Sequence, residues 1–269
     1  MNILKKITNN TRIVVEERKK LYPIAALEES MYMTRGVFSL KNNLQKGSFG
    51  IISEFKKQSP SKGVIHKDAD VEAIVSKYAE AGVVGCSVLT DENFFGGSNA
   101  DLVRARQKVD IPILRKDFII DEYQLYEAKA MGADVILLIA ECLEKNEVAE
   151  LATKAKKLGL EVLMEIHSEK QLDKLHECID IVGVNNRDLE TFSVSIQTSL
   201  DLFDKIPDDF VKISESGISN ARSVVRLIEV GFQGFLIGEN FMKTEDPGLA
   251  CKGFIDEVDS LLKITRDTV

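Results

Sequence analysis

Residues 134–166 read DVILLIAECLEKNEVAELATKAKKLGLEVLMEI. Two apolar runs, Asp134–Ile139 and Glu161–Ile166, flank a stretch in which Val148, Leu151, Ala155 and Leu158 recur on one helical face before Gly159 stops it. Runs this apolar suit strands covered on both faces, the environment of a parallel sheet. Strand, helix and strand in succession form a βαβ unit, whose crossover is right-handed.

The unit repeats in both directions. Further runs with strand character are Gly50–Phe55, Val83–Leu89, Ile111–Arg115, Ile179–Val184, Val211–Ser214 and Gly234–Ile237, which brings the count to eight. Helical stretches with legible ends lie between them. Asp70 precedes Val71, Ile74, Val75 and Tyr78, with Gly82 as the stop; Asp121 opens a segment carrying Leu125, Ala128 and Met131, closed by Gly132. Ser168 with Gln171 reads as a capping box before Leu172 and Leu175. Val224, Val225, Leu227 and Ile228 lead to Gly231, and Asp246-Pro247 starts a last helix through Phe254, Ile255, Val258 and Leu262.

An open doubly wound sheet would alternate in the same way. The count of eight, and the polar residues that finish nearly every run, favour closure into a (β/α)₈ TIM barrel. The length of 269 residues is close to the roughly 250 of such a barrel. Residues 1–48 stand outside the repeat and read as one or two amphipathic helices, with Leu4, Ile7, Val14 and Leu21 as buried positions. No linker sets them apart. The chain is therefore read as one domain over 1–269, with an N-terminal helical extension (1–48) and the barrel (49–269).

Composition narrows the function. A net charge of −8 argues against a nucleic-acid binder, which would carry a basic stripe. The four cysteines, Cys86, Cys142, Cys178 and Cys251, are scattered and form neither a disulfide framework nor a metal-site spacing. No segment has the length of a signal peptide's apolar core or of a membrane span. These features predict a cytoplasmic protein with no membrane or nucleic-acid partner; a small-molecule partner and a monomer or weak homo-oligomer are expected, although composition does not fix the oligomeric state.

Active sites of (β/α)₈ barrels form at the C-terminal ends of the strands. Here the first run ends in Glu54 and Lys56, followed by Ser59-Pro60-Ser61. The third runs into Lys116-Asp117-Phe118, and the fifth ends with Glu165. The sixth gives Asn185-Asn186-Arg187-Asp188, the seventh Glu215-Ser216-Gly217, and the eighth Gly238-Glu239. Glu54 and Lys56 are two apart and share a strand face. Taken singly they could be a solvated surface pair. With Lys116, Glu165 and Glu215 recurring at the same depth, acid–base chemistry is the better reading.

The seventh and eighth loops are where such barrels commonly bind phosphate, and Asn240–Thr244 is a candidate for the short helix that completes the cradle. Glycines at 217 and 238 allow close approach to an anion, with Glu239 restricted to a backbone contact. Arg187 either grips an anionic group or pairs with Asp188 or Glu190. His167 is read as facing away from Glu165 and structural, and His66 and His176 have no assigned role. No nucleotide-binding glycine motif is present.

At these residues the chain resembles the indole-3-glycerol phosphate synthase family of tryptophan biosynthesis. The matching strings are ISEFKKQSPSKG (52–63), LTDENFFGGS (89–98), ILRKDF (113–118), MEIHSE (164–169), VGVNNRDLETF (182–192), ISESGIS (213–219) and FLIGENFM (235–242). Ser53 stands where alanine is expected, and Glu141 at the end of the fourth run is unusual and has no assigned role.

The resemblance implies a carboxy-lyase. It would close 1-(2-carboxyphenylamino)-1-deoxyribulose 5-phosphate to indole-3-glycerol phosphate, with loss of CO₂ and water and without a metal or organic cofactor. It further implies Lys116 as general acid, with Glu165, Glu54 and Lys56 in the later proton transfers and Asn185 and Glu215 positioning them. Ser59, Phe94, Phe118, Arg187, Ser216 and Leu236 would contact substrate. Lys56, Ser216, Gly217, Gly238 and Glu239 would hold its phosphate. The rivals are phosphoribosylanthranilate isomerase, which needs a Cys/Asp pair, a Schiff-base aldolase, and a catalytically silent ligand-binding barrel.

Overall fold

The computed structural model describes residues 3–188 and 193–267. Eight parallel strands close into a barrel: β1 (Gly50–Phe55), β2 (Gly85–Leu89), β3 (Ile113–Lys116), β4 (Val135–Ile139), β5 (Glu161–Ile166), β6 (Ile181–Asn185), β7 (Val211–Glu215) and β8 (Gly234–Ile237). Each pairs with its sequence neighbours, and β1 closes the ring by pairing with β8, Gly50 opposite Gly234 and Ser53 opposite Ile237. All eight predicted runs are strands. Several begin a residue or two late, β3 for example after Pro112, which has no N–H for the ladder.

Strand alternation divides the apolar residues into two clusters. Ile52, Leu114, Leu137, Leu163, Ile181, Ile213 and Leu236 pack together inside the barrel. Their neighbours Ile51, Ile113, Ile136, Val162, Val182 and Phe235 pack outward with the helices. Strands buried on both faces must be apolar on both, which is why the sequence shows runs rather than alternation.

The extension contains three helices, Ile3–Leu21, Ile24–Leu27 and Leu40–Lys46, rather than one or two. In the first, the buried stripe is Leu4, Ile7, Thr8, Thr11 and Val15. Helical spacing from Ile7 through Thr11 selects Val15, so Val14 is only half-buried, and Leu21 is 72% exposed. The third helix plugs the bottom of the barrel. Leu40 and Leu44 press against the first residues of β2, β1 and β8, where a Cβ on Gly85 would come within 2.8 Å of Leu40, and one on Gly50 or Gly234 within 3.0 or 2.5 Å of Leu44. Asp134 and Glu161 fasten the connecting segment, Asp134 accepting from Arg35 and Phe38 N–H, and Glu161 from Ser39 and the N–H groups of Leu40 and Lys41.

Asp70 caps Val71–Glu80 and Asn220 caps Ala221–Val230, which ends at left-handed Gly231. The predicted capping box at Ser168 does not form. Residues Glu169–Lys174 are a 3₁₀ helix, and the Gln171 side chain accepts from His167 N–H and donates to Glu141 instead. No helix among the described residues is long and apolar enough to cross a membrane.

Candidate active site

A cavity of about 590 Å³ opens at the C-terminal ends of the strands. Its floor follows from the same parity as the core. Glu54, Lys116, Glu165 and Glu215 each lie two residues beyond an inward-facing apolar residue, namely Ile52, Leu114, Leu163 and Ile213. Asn185 sits opposite Glu215 in the ladder and completes the polar layer. All five line the cavity, with Leu137 and Ile139 of β4 as apolar wall and Ile3, Leu4 and Ile7 of the first helix on one side.

Lys116 is the hub. Its Nζ lies 2.5 Å from Glu215 Oε2 and 3.1 Å from Glu165 Oε2. Asn185 Nδ2 donates to Glu165 Oε1 at 3.0 Å, and Lys56 Nζ donates to Glu54 Oε1 at 2.6 Å. Burial by itself would strip the proton from Lys116, but the carboxylates of Glu215, Glu165 and Glu54 outweigh it and hold the ammonium charged.

One ammonium cannot serve two buried carboxylates equally. Burial pushes both upward. Glu165, which also has Asn185 as a donor and His167 beside it, ends below the usual carboxylate range. Glu215 has Lys116 alone, its Oε1 is buried without a partner, and burial carries it up to about 7. Carboxylates driven apart in this way divide into an ionised base and a group that exchanges protons near neutrality. The space between them is filled by the Lys116 ammonium, and among the described residues no cluster of His, Cys, Asp and Glu is arranged to hold a metal ion.

Two glycines make room for this layer. A Cβ on Gly183 would lie 2.1 Å from Glu215 Oε1, and one on Gly238 would lie 2.4 Å from Glu54 Oε1. Gly238, predicted only as a residue of the phosphate cradle, thus also gives clearance to Glu54.

The β7 and β8 loops form the opposite wall, with Ser216, Gly217, Ser219, Gly238, Glu239, Asn240 and Lys243. Ser216 and Gly217 are successive left-handed residues (φ 67° and 69°), and Ser216 is the one non-glycine at positive φ among the described residues. Strained backbone of this kind concentrates at ligand clamps. Gly238 caps a single turn, Glu239–Met242, which replaces the predicted 240–244 helix. The Glu239 side chain is not idle: its carboxylate lies 3.5 Å from Lys62 Nζ and 3.8 Å from Arg187 Nη2. Arg187 thus faces Glu239 across the cavity mouth, and Glu190 lies outside the described residues. Ser59 lines the mouth from a hairpin, Gln58–Ser59 with Gly63–Val64, and accepts from Lys62 N–H.

Phe118 and Leu236 line the cavity, but Phe94 does not; Phe95 does. Asp91 caps the single turn Glu92–Phe95, and the turn sends Phe94 towards Lys6 of the first helix and Phe95 against Phe118, rings 6.0 Å apart. Ser53 points outward into the sheet–helix layer beside Cys86, so its departure from alanine does not reach the cavity. His167 does not face away. Residues two apart share a strand face, and its Nε2 is 3.5 Å from Glu165 Oε1.

Sequence reading missed the support behind Lys116. Arg115 points outward, is fully buried, and donates to Asp117 Oδ2, Glu127 Oε2, Thr90 Oγ1 and Gln124 O. Asp117 Oδ1 in turn accepts from Phe118 N–H. The signal was a charged residue at an outward, buried register between Leu114 and Lys116. Lys62 and Lys243 carried no signal, since their loops have no fixed period.

The family model described as indole-3-glycerol phosphate synthase matches residues 4–254. The indole-3-glycerol phosphate synthase of Bacteroides thetaiotaomicron is 48% identical, over 96% of this chain and 99% of its own length. That of Salinibacter ruber is 45% identical over 93% and 94%. Among solved structures, 3-hexulose-6-phosphate synthase from Salmonella typhimurium shares the fold alone, with a TM-score of 0.63 and 13% identity over 79% of this chain and 99% of that one. Eight strands, a lysine held between carboxylates at their C-terminal ends, and this degree of likeness along nearly the whole length agree: the chain belongs to the indole-3-glycerol phosphate synthase family.

Proposed function

We propose that the chain closes 1-(2-carboxyphenylamino)-1-deoxyribulose 5-phosphate to indole-3-glycerol phosphate, releasing one CO₂ and one water, with Lys116 as the general acid. The observation that carries this is the Lys116 ammonium set between Glu165 and Glu215 at the cavity floor. An ammonium kept protonated can give its proton to the ribulose carbonyl oxygen as the carboxyl-bearing aromatic carbon attacks the carbonyl carbon. Loss of CO₂ returns the bonding pair to the ring. Glu165, with the Glu54–Lys56 pair, then serves the proton transfers that let the former carbonyl oxygen leave as water. Asn185 orients Glu165, and Glu215 keeps Lys116 charged.

Substrate contacts are assigned to Ser59, Phe118, Arg187, Ser216 and Leu236, with Phe95 in place of Phe94. Lys56, Ser216, Gly217, Gly238 and the backbone of Glu239 take the phosphate. A lysine held protonated is a poor amine nucleophile, which counts against a Schiff-base aldolase.

We take the whole chain as one folding unit, because Leu4, Ile7, Leu40 and Leu44 bury themselves in the cluster that fills the barrel. A cytoplasmic monomer or weak homo-oligomer is supported by four unpaired cysteines and by exposed large apolar residues spread over separate elements.

The test is direct. The chain contains no tryptophan, so indole fluorescence from the product rises over a tyrosine background. Supplying the anilino-deoxyribulose phosphate should give indole fluorescence and an equal amount of CO₂. Absence of either product defeats the proposal.

A further inference from the structure

His167 is a largely covered side chain, with both ring nitrogens buried, that the reaction as described does not use. It follows β5 directly, its side chain is 13% exposed, and neither ring nitrogen has a hydrogen-bond partner. An imidazole carries at least one N–H in every protonation state, and burying that donor unpaired is costly. The acceptor within reach is Glu165 Oε1, 3.5 Å from Nε2. This is longer than a normal hydrogen bond, but contacts of this kind at catalytic sites commonly tighten in the transition state. The backbone at His167 is pinned, its N–H donating to Gln171 Oε1 at 2.7 Å, and Gln171 is anchored in turn on Glu141.

The surroundings of Glu165 explain why a second donor matters. Lys116 from β3, Glu54 from β1 and Glu215 from β7 face it from inside the barrel, and Asn185 donates from β6. Cys142, Glu141 and, farther out, Lys174 stand on the β4 side. When Lys116 turns towards substrate, Glu165 loses its cationic partner while two other carboxylates remain close. Asn185 alone is then left on Oε1.

We propose that His167 is a positioning residue for Glu165, its ring N–H holding Oε1 so that Oε2 stays towards Lys116 and the carboxylate remains ionised when that lysine engages substrate. The inference rests on Glu165 being a proton acceptor in the reaction. His167 does not line the cavity, so it acts through Glu165 and not on substrate.

The experiment is the pH dependence of kcat and KM for the wild type, His167→Phe and His167→Gln. Losing a donor to a charged group should lower kcat of His167→Phe by about tenfold on the acid side. The acid limb of kcat, which reports Glu165 in the substrate complex, should move to higher pH with KM within about twofold of wild type, while the free-enzyme limb of kcat/KM set by Glu215 stays in place. Glutamine, which keeps an N–H donor, should restore most of the rate. A profile of unchanged shape, even with a uniform loss of rate, would overturn the proposal, because a purely structural role scales all pH values alike.

If His167→Phe does not fold, the ring ¹⁵N shifts provide the same test, since the chain has three histidines. Glu165→Gln should move the His167 signals and leave His66 and His176 in place; no movement at His167 overturns the proposal. Glu165→Gln also separates the two levels of argument. Wild-type turnover in that variant removes the catalytic reading of Glu165, whereas an inactive Glu165→Gln beside an unmoved His167→Phe profile removes the role of His167 alone.

Discussion

Replacing Lys116 with methionine keeps the length of the side chain and deletes its charge. The ammonium sits 2.5 Å from Glu215 and 3.1 Å from Glu165, with the lysine side chain 14% exposed and the carboxylates 1% and 6%. At an effective dielectric of about 20, each contact is worth roughly 5–7 kcal/mol of direct attraction, most of it offset by the desolvation of three charges. Removing one partner of such a buried group typically costs about 3–5 kcal/mol.

The loss should depend on pH with a definite sign. Without the cation, both carboxylates have folded pKa values above their unfolded ones. The variant is then favoured while they are protonated, and loses stability as pH rises from the unfolded carboxylate range through the folded values. Thermal unfolding should show a larger deficit against wild type at pH ~8 than at pH ~5. In the fluorescence assay kcat should fall by about 10²–10⁴, the usual contribution of a general acid, while the β7 and β8 loops, proposed to hold the phosphate, should keep substrate affinity largely intact. A kcat within a few-fold of wild type would refute the assignment of Lys116, and a stability deficit independent of pH would refute the charge geometry around it.

The wild-type enzyme should show kcat/KM rising with an apparent pKa near 7, as Glu215 becomes ionised and secures Lys116; Glu215→Gln should remove that limb. Arg115→Met should destabilise the fold by about 3–5 kcal/mol in denaturant titrations, because Asp117 is left buried without its cation and Glu127 keeps only the longer ion pair with Arg18, at 3.7 Å. Gly183→Ala places a methyl 2.1 Å from Glu215 Oε1, so Glu215 must move away from Lys116. A displacement of that size should cost about 100-fold in kcat with a smaller effect on melting temperature.

The barrel and the floor of its site were legible because both follow from local periodicity. A strand alternates with period two wherever it lies. Apolar runs such as Ile51–Ile52 or Val135–Ile139 therefore announce coverage on both faces, and parity carries Glu54, Lys116, Glu165 and Glu215 to the inside. The same parity also places His167 beside Glu165, a consequence that reading His167 as outward-facing overlooked.

Other features needed tertiary contacts. Phe95 replaces Phe94 on the cavity wall because Asp91 winds one turn whose rotation no period announces. Val15 is buried and Leu21 exposed because the first helix meets the barrel only along part of its length. The Glu239 contacts with Lys62 and Arg187 join three loops far apart in sequence. The split between Glu165 and Glu215 depends on which of two equivalent residue types also meets Asn185 and His167. Sequence determined the eight alternating strand and helix units and the depth at which charged groups gather, since backbone geometry repeats from residue to residue. Only the folded structure decided how those groups share one lysine, because partnership and burial are set by contacts between distant segments, which local patterning does not encode.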